Sequence, residues 1–86
     1  MPQISEFFGI SIYMYWNDHQ PPHFHARYNA LEAIVAIDEG VVLKGALPLR
    51  ALKLVLAWAE LHRDELLQNW ERCRKHEMPA RIEALQ

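Results

Sequence analysis

The residues able to do chemistry gather in Asn17-Asp18-His19-Gln20-Pro21-Pro22-His23-Phe24-His25, where three of the chain's five histidines fall within seven residues. Beyond the double proline, His23, His25 and Arg27 alternate with Phe24, Ala26 and Tyr28. That is strand spacing, which puts two imidazoles and a guanidinium on one face about 6.6–6.8 Å apart. Such a stripe could cut RNA without a metal. The reaction needs a base for the 2′-hydroxyl, an acid for the leaving oxygen and a cation for the charged phosphorane. Imidazole titrates near pH ~6.5, so at neutral pH one histidine can be base and another acid. Guanidinium geometry suits a phosphate clamp. His19, His23, His25 and Arg27 are therefore the candidate catalytic residues. If the preceding strand pairs with this one, Tyr13 and Tyr15 share its face. Aromatic rings beside cations are what unpaired bases stack upon, so these two are the candidate RNA-binding residues.

A metal site is the second chemistry. His23 and His25 on a strand, with His19 folded over by the corner, supply three imidazoles, and Asp18, His62 or water a fourth position. The lack of a cysteine partner and of an unambiguous fourth ligand favours the metal-free reading, and no metal or other cofactor is assigned. The architectural alternative has Asp18 closing a turn, His19 bonding the corner's backbone, and His23 and His25 as neutral donors on a solvated face. Against it, a stiff loop is a common way of presenting functional groups.

The elements around this stretch must hold it in place. Two prolines fix φ twice and push the residue before them out of the helical region, so Gln20 to Pro22 is expected to be a stiff, extended corner. Asn17 and Asp18 are residues that close turns on their own backbone. Phe7 to Trp16 reads as a first strand, with Ile10, Ile12, Met14 and Trp16 on one side and Ser11, Tyr13 and Tyr15 on the other. After the His23–Tyr28 strand comes a turn at Asn29 to Glu32, then a third strand at Ala33 to Ile37. Asp38-Glu39-Gly40 is a turn with glycine where a left-handed residue is wanted, and Val41 to Leu43 a short fourth strand. Links this short imply an antiparallel meander.

From Pro48 the period changes. Leu52, Val55, Leu56, Ala59, Leu66, Trp70 and Cys73 recur at three- and four-residue steps, a face that can lie on the sheet. The helix would span roughly 28 residues, about 42 Å, longer than a small sheet needs, so it should overhang or break near Arg63-Asp64. The tail from Glu77 is read as a short final helical turn, and His62 as a structural histidine. The expected architecture is thus α+β, with a small antiparallel sheet of three to four strands packed against one long C-terminal helix, in a single domain over 1–86. Leu54, Trp58 and Leu61 form a second apolar row. It is either a wider core face covered by the tail, or an exposed stripe that anchors a protein partner.

Eighty-six residues make one modest core. A net charge of −2 excludes a global basic field, so any nucleic-acid contact must come from a local patch. The lone Cys73 cannot form an internal disulfide, which fits a reducing compartment. The N-terminus lacks the pattern of a signal peptide, and no apolar run approaches a membrane span. The expectation is a small soluble cytoplasmic protein with no membrane partner.

The corner Asp18-His19-x-Pro21-Pro22-His23-x-His25 resembles a small bacterial domain-of-unknown-function family, four-one-six-zero in that series. The likeness extends over the opening Met-Pro-x-Ile-Ser, Phe8-Gly9-Ile10, Gly45-x-Leu47-Pro48, Trp58-Ala59-Glu60-Leu61-His62 and Glu65-Leu66-x-x-Asn69-Trp70. The resemblance implies the toxin of a type II toxin–antitoxin module, with a cognate antitoxin protein as partner. It carries over no catalytic residues. Joined to the histidine stripe, it gives the expected function: a toxin acting as a metal-independent endoribonuclease on RNA. The alternatives are a non-catalytic protein- or RNA-binding module and a histidine-ligated metal site; the oligomeric state stays open.

Overall fold

The computed structural model describes residues 2–16 and 18–86; the turn-closing role expected of Asn17 lies outside the described residues. Five strands, β1 (Gln3–Phe7), β2 (Ile10–Tyr13), β3 (His23–Tyr28), β4 (Leu31–Ala36) and β5 (Val42–Gly45), form one sheet in the order β1-β2-β3-β4-β5. Every neighbouring pair is antiparallel. Two helices follow, α1 (Leu49–Leu61) and α2 (Arg63–Arg74). The expected α+β meander is present, but with five strands rather than three to four, and two helices rather than one long one.

Both differences have local causes. The stretch read as a single first strand folds into a hairpin, because Phe7 pairs with Ile10 and leaves only Phe8 and Gly9 to turn the chain. Both turn residues take positive φ, 51° and 79°, which matches the twist that two-residue hairpins require. Phenylalanine is an unusual occupant of such a position, so composition hid the turn. β2 also stops at Tyr13, and Trp16 is exposed rather than continuing the buried row of Ile10, Ile12 and Met14. The link between β3 and β4 is likewise shorter than read. Only Asn29, at φ 54°, and Ala30 separate the paired residues Tyr28 and Leu31, so Glu32 belongs to a strand.

The helix breaks at His62, one residue before the expected point, where φ −117° and ψ 27° leave the helical region. His62 Nδ1 donates to the Glu65 carboxylate, and with Asp64 this places two acidic side chains in the first turn of α2, where the helix dipole favours them. Helix α2 ends with His76 at φ 60°, while the Glu77 and His76 amides donate to the Arg72 and Cys73 carbonyls. That pair of bonds is the Schellman arrangement that closes a helix C-terminus.

The helices cover one sheet face. Ile10, Ile12, Phe24, Ala26, Ala33 and Val35 project into a common core with Ala51, Val55, Trp58, Leu66 and Trp70. The tail is not helical; it runs back across β1, with the Ile82 amide donating to the Ile4 carbonyl at 2.8 Å. Asn69, fully buried, pins it by donating to the Ala80 carbonyl and accepting from the Ala80 amide, each at 2.8 Å. Trp58 is fully buried too and donates its Nε1–H to the Glu83 carbonyl. Leu54, Trp58 and Leu61 therefore form no continuous exposed stripe: the tail covers Trp58, Leu54 is half-buried, and only Leu61 stands out in solvent.

Candidate functional site

Alternation along β3 sends Phe24 and Ala26 into the core and His23, His25 and Arg27 to the opposite face. The register of β2 puts Tyr13 across from His25 and Ser11 across from Arg27. On the other side, Glu32 lies across from Arg27 and Ile34 across from His25, with Lys44 of β5 beside Ile34. The side of β3 turned from Phe24 and Ala26 is thus a polar and aromatic strip two imidazoles deep, and its His23 end reaches α2. Tyr15 sits over it, its ring centre 4.2 Å from that of His25, while the His23 ring lies 5.1 Å from Trp70 of α2. These neighbours bury both histidines, which are 7% and 8% exposed.

The loop before β3 contains a cis peptide between Gln20 and Pro21, and it brings Asp18 back over the strand. One carboxylate oxygen, Asp18 Oδ2, lies 2.8 Å from His23 Nε2 and 3.0 Å from His25 Nε2. The far nitrogens are engaged as well. His23 Nδ1–H donates to the Pro21 carbonyl at 2.8 Å, and His25 Nδ1–H to Glu32 Oε2 at 2.9 Å. Burial alone would raise the Asp18 carboxyl, but hydrogen bonds from His25 and from the His19 amide, together with the charge of His23, hold it below its ordinary value. Asp18 is the negative hub of the cluster. The Tyr15 phenol is raised, first by burial and then by the Glu32 carboxylate.

Of the candidate catalytic residues, the structure brings together His23 and His25. Arg27 shares their face but is exposed, its guanidinium carbon 5.9 Å from the centre of the Tyr13 ring. The ring of His19 is not part of the cluster; this residue is exposed, and only its amide is engaged, donating to Asp18 Oδ1 at 3.0 Å. The place foreseen for a third imidazole is taken by a carboxylate. Among the described residues Asp18, His23 and His25 form the one group of ligating atoms, all within 4.8 Å of one another, that could share a metal ion. His62 sits at the break between α1 and α2, is bonded to Glu65 and is not part of the group.

Two residues escaped sequence reasoning. Composition puts Glu32 in a turn, yet a two-residue hairpin places it diagonally opposite His25, within reach of a long side chain. Lys44 lies with Tyr15, His25, Glu32, Ile34 and Gly45 around a cleft of about 370 Å³. A second, more apolar cleft of about 430 Å³ is lined by Pro2, Tyr15, Trp16 and Met78. Tyr15 stands between the two.

Fold and site together define a class: a small α+β protein with two helices packed on an antiparallel meander and a carboxylate-bridged histidine pair on its central strand. The chain belongs to the family described as a domain of unknown function (DUF4160), whose model matches residues 9–71. No curated protein and no solved structure matches the chain. Among the described residues no helix is long and apolar enough to cross a membrane.

Proposed function

We propose that this protein is the toxin half of a two-protein module, that it acts on cytoplasmic RNA at the Asp18–His23–His25 site, and that an antitoxin silences it by covering that face. The observation that carries the reading is a rigidly held pair of imidazoles beside a cleft lined by Tyr15 and Lys44. In the cleavage, the 2′-oxygen attacks the adjacent phosphorus as one imidazole takes its proton. The P–O5′ bond then breaks while the other, protonated imidazole donates to the leaving oxygen. The products are a 2′,3′-cyclic phosphate and a 5′-hydroxyl, and no water is consumed. Lys44 and Arg27 flank the phosphate path, and Tyr13 and Tyr15 offer rings for stacking. Because Asp18 occupies both Nε2 atoms, it must release one of them when substrate arrives. Its position on a loop, with a fifth of its side chain exposed, suits that movement.

The test is incubation of the purified chain with a defined single-stranded RNA. Cleavage is expected to yield cyclic-phosphate ends and to fall about a hundredfold or more in His25→Ala, the usual range for losing a general acid or base. Growth arrest on expression should be lost in the same variant and relieved by the partner protein. Folded His23→Ala and His25→Ala variants with undiminished cleavage and arrest would end the reading. Intact arrest without any cleavage would point to a non-catalytic binding module.

A further inference from the structure

The hydrogen-bond partners of the two rings do not balance for neutral histidines. A main-chain carbonyl can only accept, so His23 carries its proton on Nδ1, facing Pro21. His25 lies between two carboxylates, Glu32 at Nδ1 and Asp18 at Nε2, so a neutral ring has one proton for two acceptors. With the His25 proton on the Glu32 side, each Nε2 is a lone pair, and both lone pairs aim at the same carboxylate oxygen of Asp18. Three electron-rich atoms pointing at one another need positive charge between them. Either two additional protons supply it, or one divalent cation does, and the total charge of the cluster is the same in both cases.

We infer that Asp18 Oδ2, His23 Nε2 and His25 Nε2 hold a first-row divalent transition-metal ion such as zinc. Two features favour the cation. Two imidazole nitrogens and one carboxylate oxygen suit zinc and its neighbours, whereas calcium and magnesium want oxygen ligands throughout. Both Nδ1–H groups are already held, one by a main-chain carbonyl and one by a carboxylate, as is usual behind metal-bound histidines. The three atoms lie within 4.8 Å of one another, with Asp18 Oδ2 at hydrogen-bond separations of 2.8 and 3.0 Å from the nitrogens; atoms bound tetrahedrally at zinc distances lie roughly 3.3 Å apart. Asp18, on a loop with a fifth of its side chain exposed, must withdraw to admit the ion. Three protein ligands leave a coordination position for an outside group, as in catalytic rather than structural sites. The cleft at His25 and Tyr15 gives access to it. With both Nε2 atoms on the ion and both Nδ1–H groups held, the rings cannot also exchange protons, so in the loaded chain the ion and not the imidazole pair would act on a phosphate oxygen. The inference rests on the proposed cleavage only in taking these three residues as the working centre.

The experiment loads the full chain with zinc, removes excess by dialysis, and measures metal per chain; cobalt(II) is added to a second sample for its absorption bands. One zinc per chain is expected, with no comparable uptake of magnesium. His25→Ala should abolish it, and His19→Ala and His76→Ala, which alter exposed rings, should leave it unchanged. Glu32→Gln touches no ligand atom, so it tests the geometry even if His25→Ala fails to fold. It should weaken zinc binding about ten- to hundredfold. The inference is overturned by absence of stoichiometric zinc, by uptake that survives in Asp18→Asn and Glu32→Gln at full affinity, or by uptake lost in His19→Ala. The two proposals fail separately: zinc binding without RNA cleavage removes the nuclease, and cleavage by a chain that takes up no zinc removes the metal.

Discussion

Asp18 Oδ2 faces a ring nitrogen from each of two histidines, and Glu32 closes the far side of one of them. Buried polar groups left without partners are costly, which is why four side chains and one carbonyl interlock here rather than each histidine standing alone. The other buried titratable side chain of interest, Cys73, shows the opposite environment. Burial pushes its thiol above the ordinary value of 9.0. The folded state therefore holds this proton more tightly than the unfolded one. Its contribution to stability is constant below that value and declines as pH rises above it, because only the unfolded chain then ionises. Two outcomes are expected. A thiol reagent should react slowly with the native chain at neutral pH and rapidly in denaturant. The drop in urea midpoint between pH 8 and pH 10 should be smaller in Cys73→Ala, and an equal drop in both proteins would refute the assignment.

At the scale of elements, the turns decide which residues meet. The β3–β4 hairpin turns on Asn29 and Ala30 alone, and that register brings Glu32 to His25. The turn at Gly40 was legible because glycine at φ 65° announces itself in composition. The Phe8–Gly9 turn was not, because its first residue is a large apolar one that reads as strand. Gly45 matters for the site in a less visible way. It takes φ 80° at the end of β5, and a Cβ there would run into the main-chain carbonyl of Glu32. Gly45→Ala should therefore destabilise the fold by about 2–3 kcal/mol, combining left-handed strain with a backbone clash. Chemical denaturation checks this, and an unchanged midpoint would show that the hairpin yields freely. Helix breakage followed the same local logic: the apolar period ran on through His62, but a backbone departure there starts a second helix.

For the molecule as a whole, the C-terminal tail completes the core from beyond the family-matched residues 9–71. Ile82 is buried, Glu83 supplies the acceptor for Trp58, and Asn69 clamps Ala80 on both main-chain groups. Truncation after Lys75 should cost about 3 kcal/mol or more, from one buried isoleucine and the hydrogen bonds it leaves unmade. A urea midpoint equal to that of the full chain would show the tail to be ornamental. The same tail explains why Leu54, Trp58 and Leu61 do not form an open stripe. Helical spacing told which residues share a side of the helix, and could not tell that a later segment would lie over them.

Periodicity within the sequence was enough to divide each strand into two faces, because side-chain direction follows from backbone geometry alone. It was enough to put His23, His25 and Arg27 on one side and to end the sheet at the Pro48 helix. What lay beyond it was every relation across strands: that Asp18 joins the histidines while the ring of His19 does not, that Glu32 stands behind His25, and that Lys44 borders the cleft. Those relations depend on hairpin register and on the path of the 18–22 loop. Both are set by which turn conformations the packed core allows, and only the folded chain contains that information.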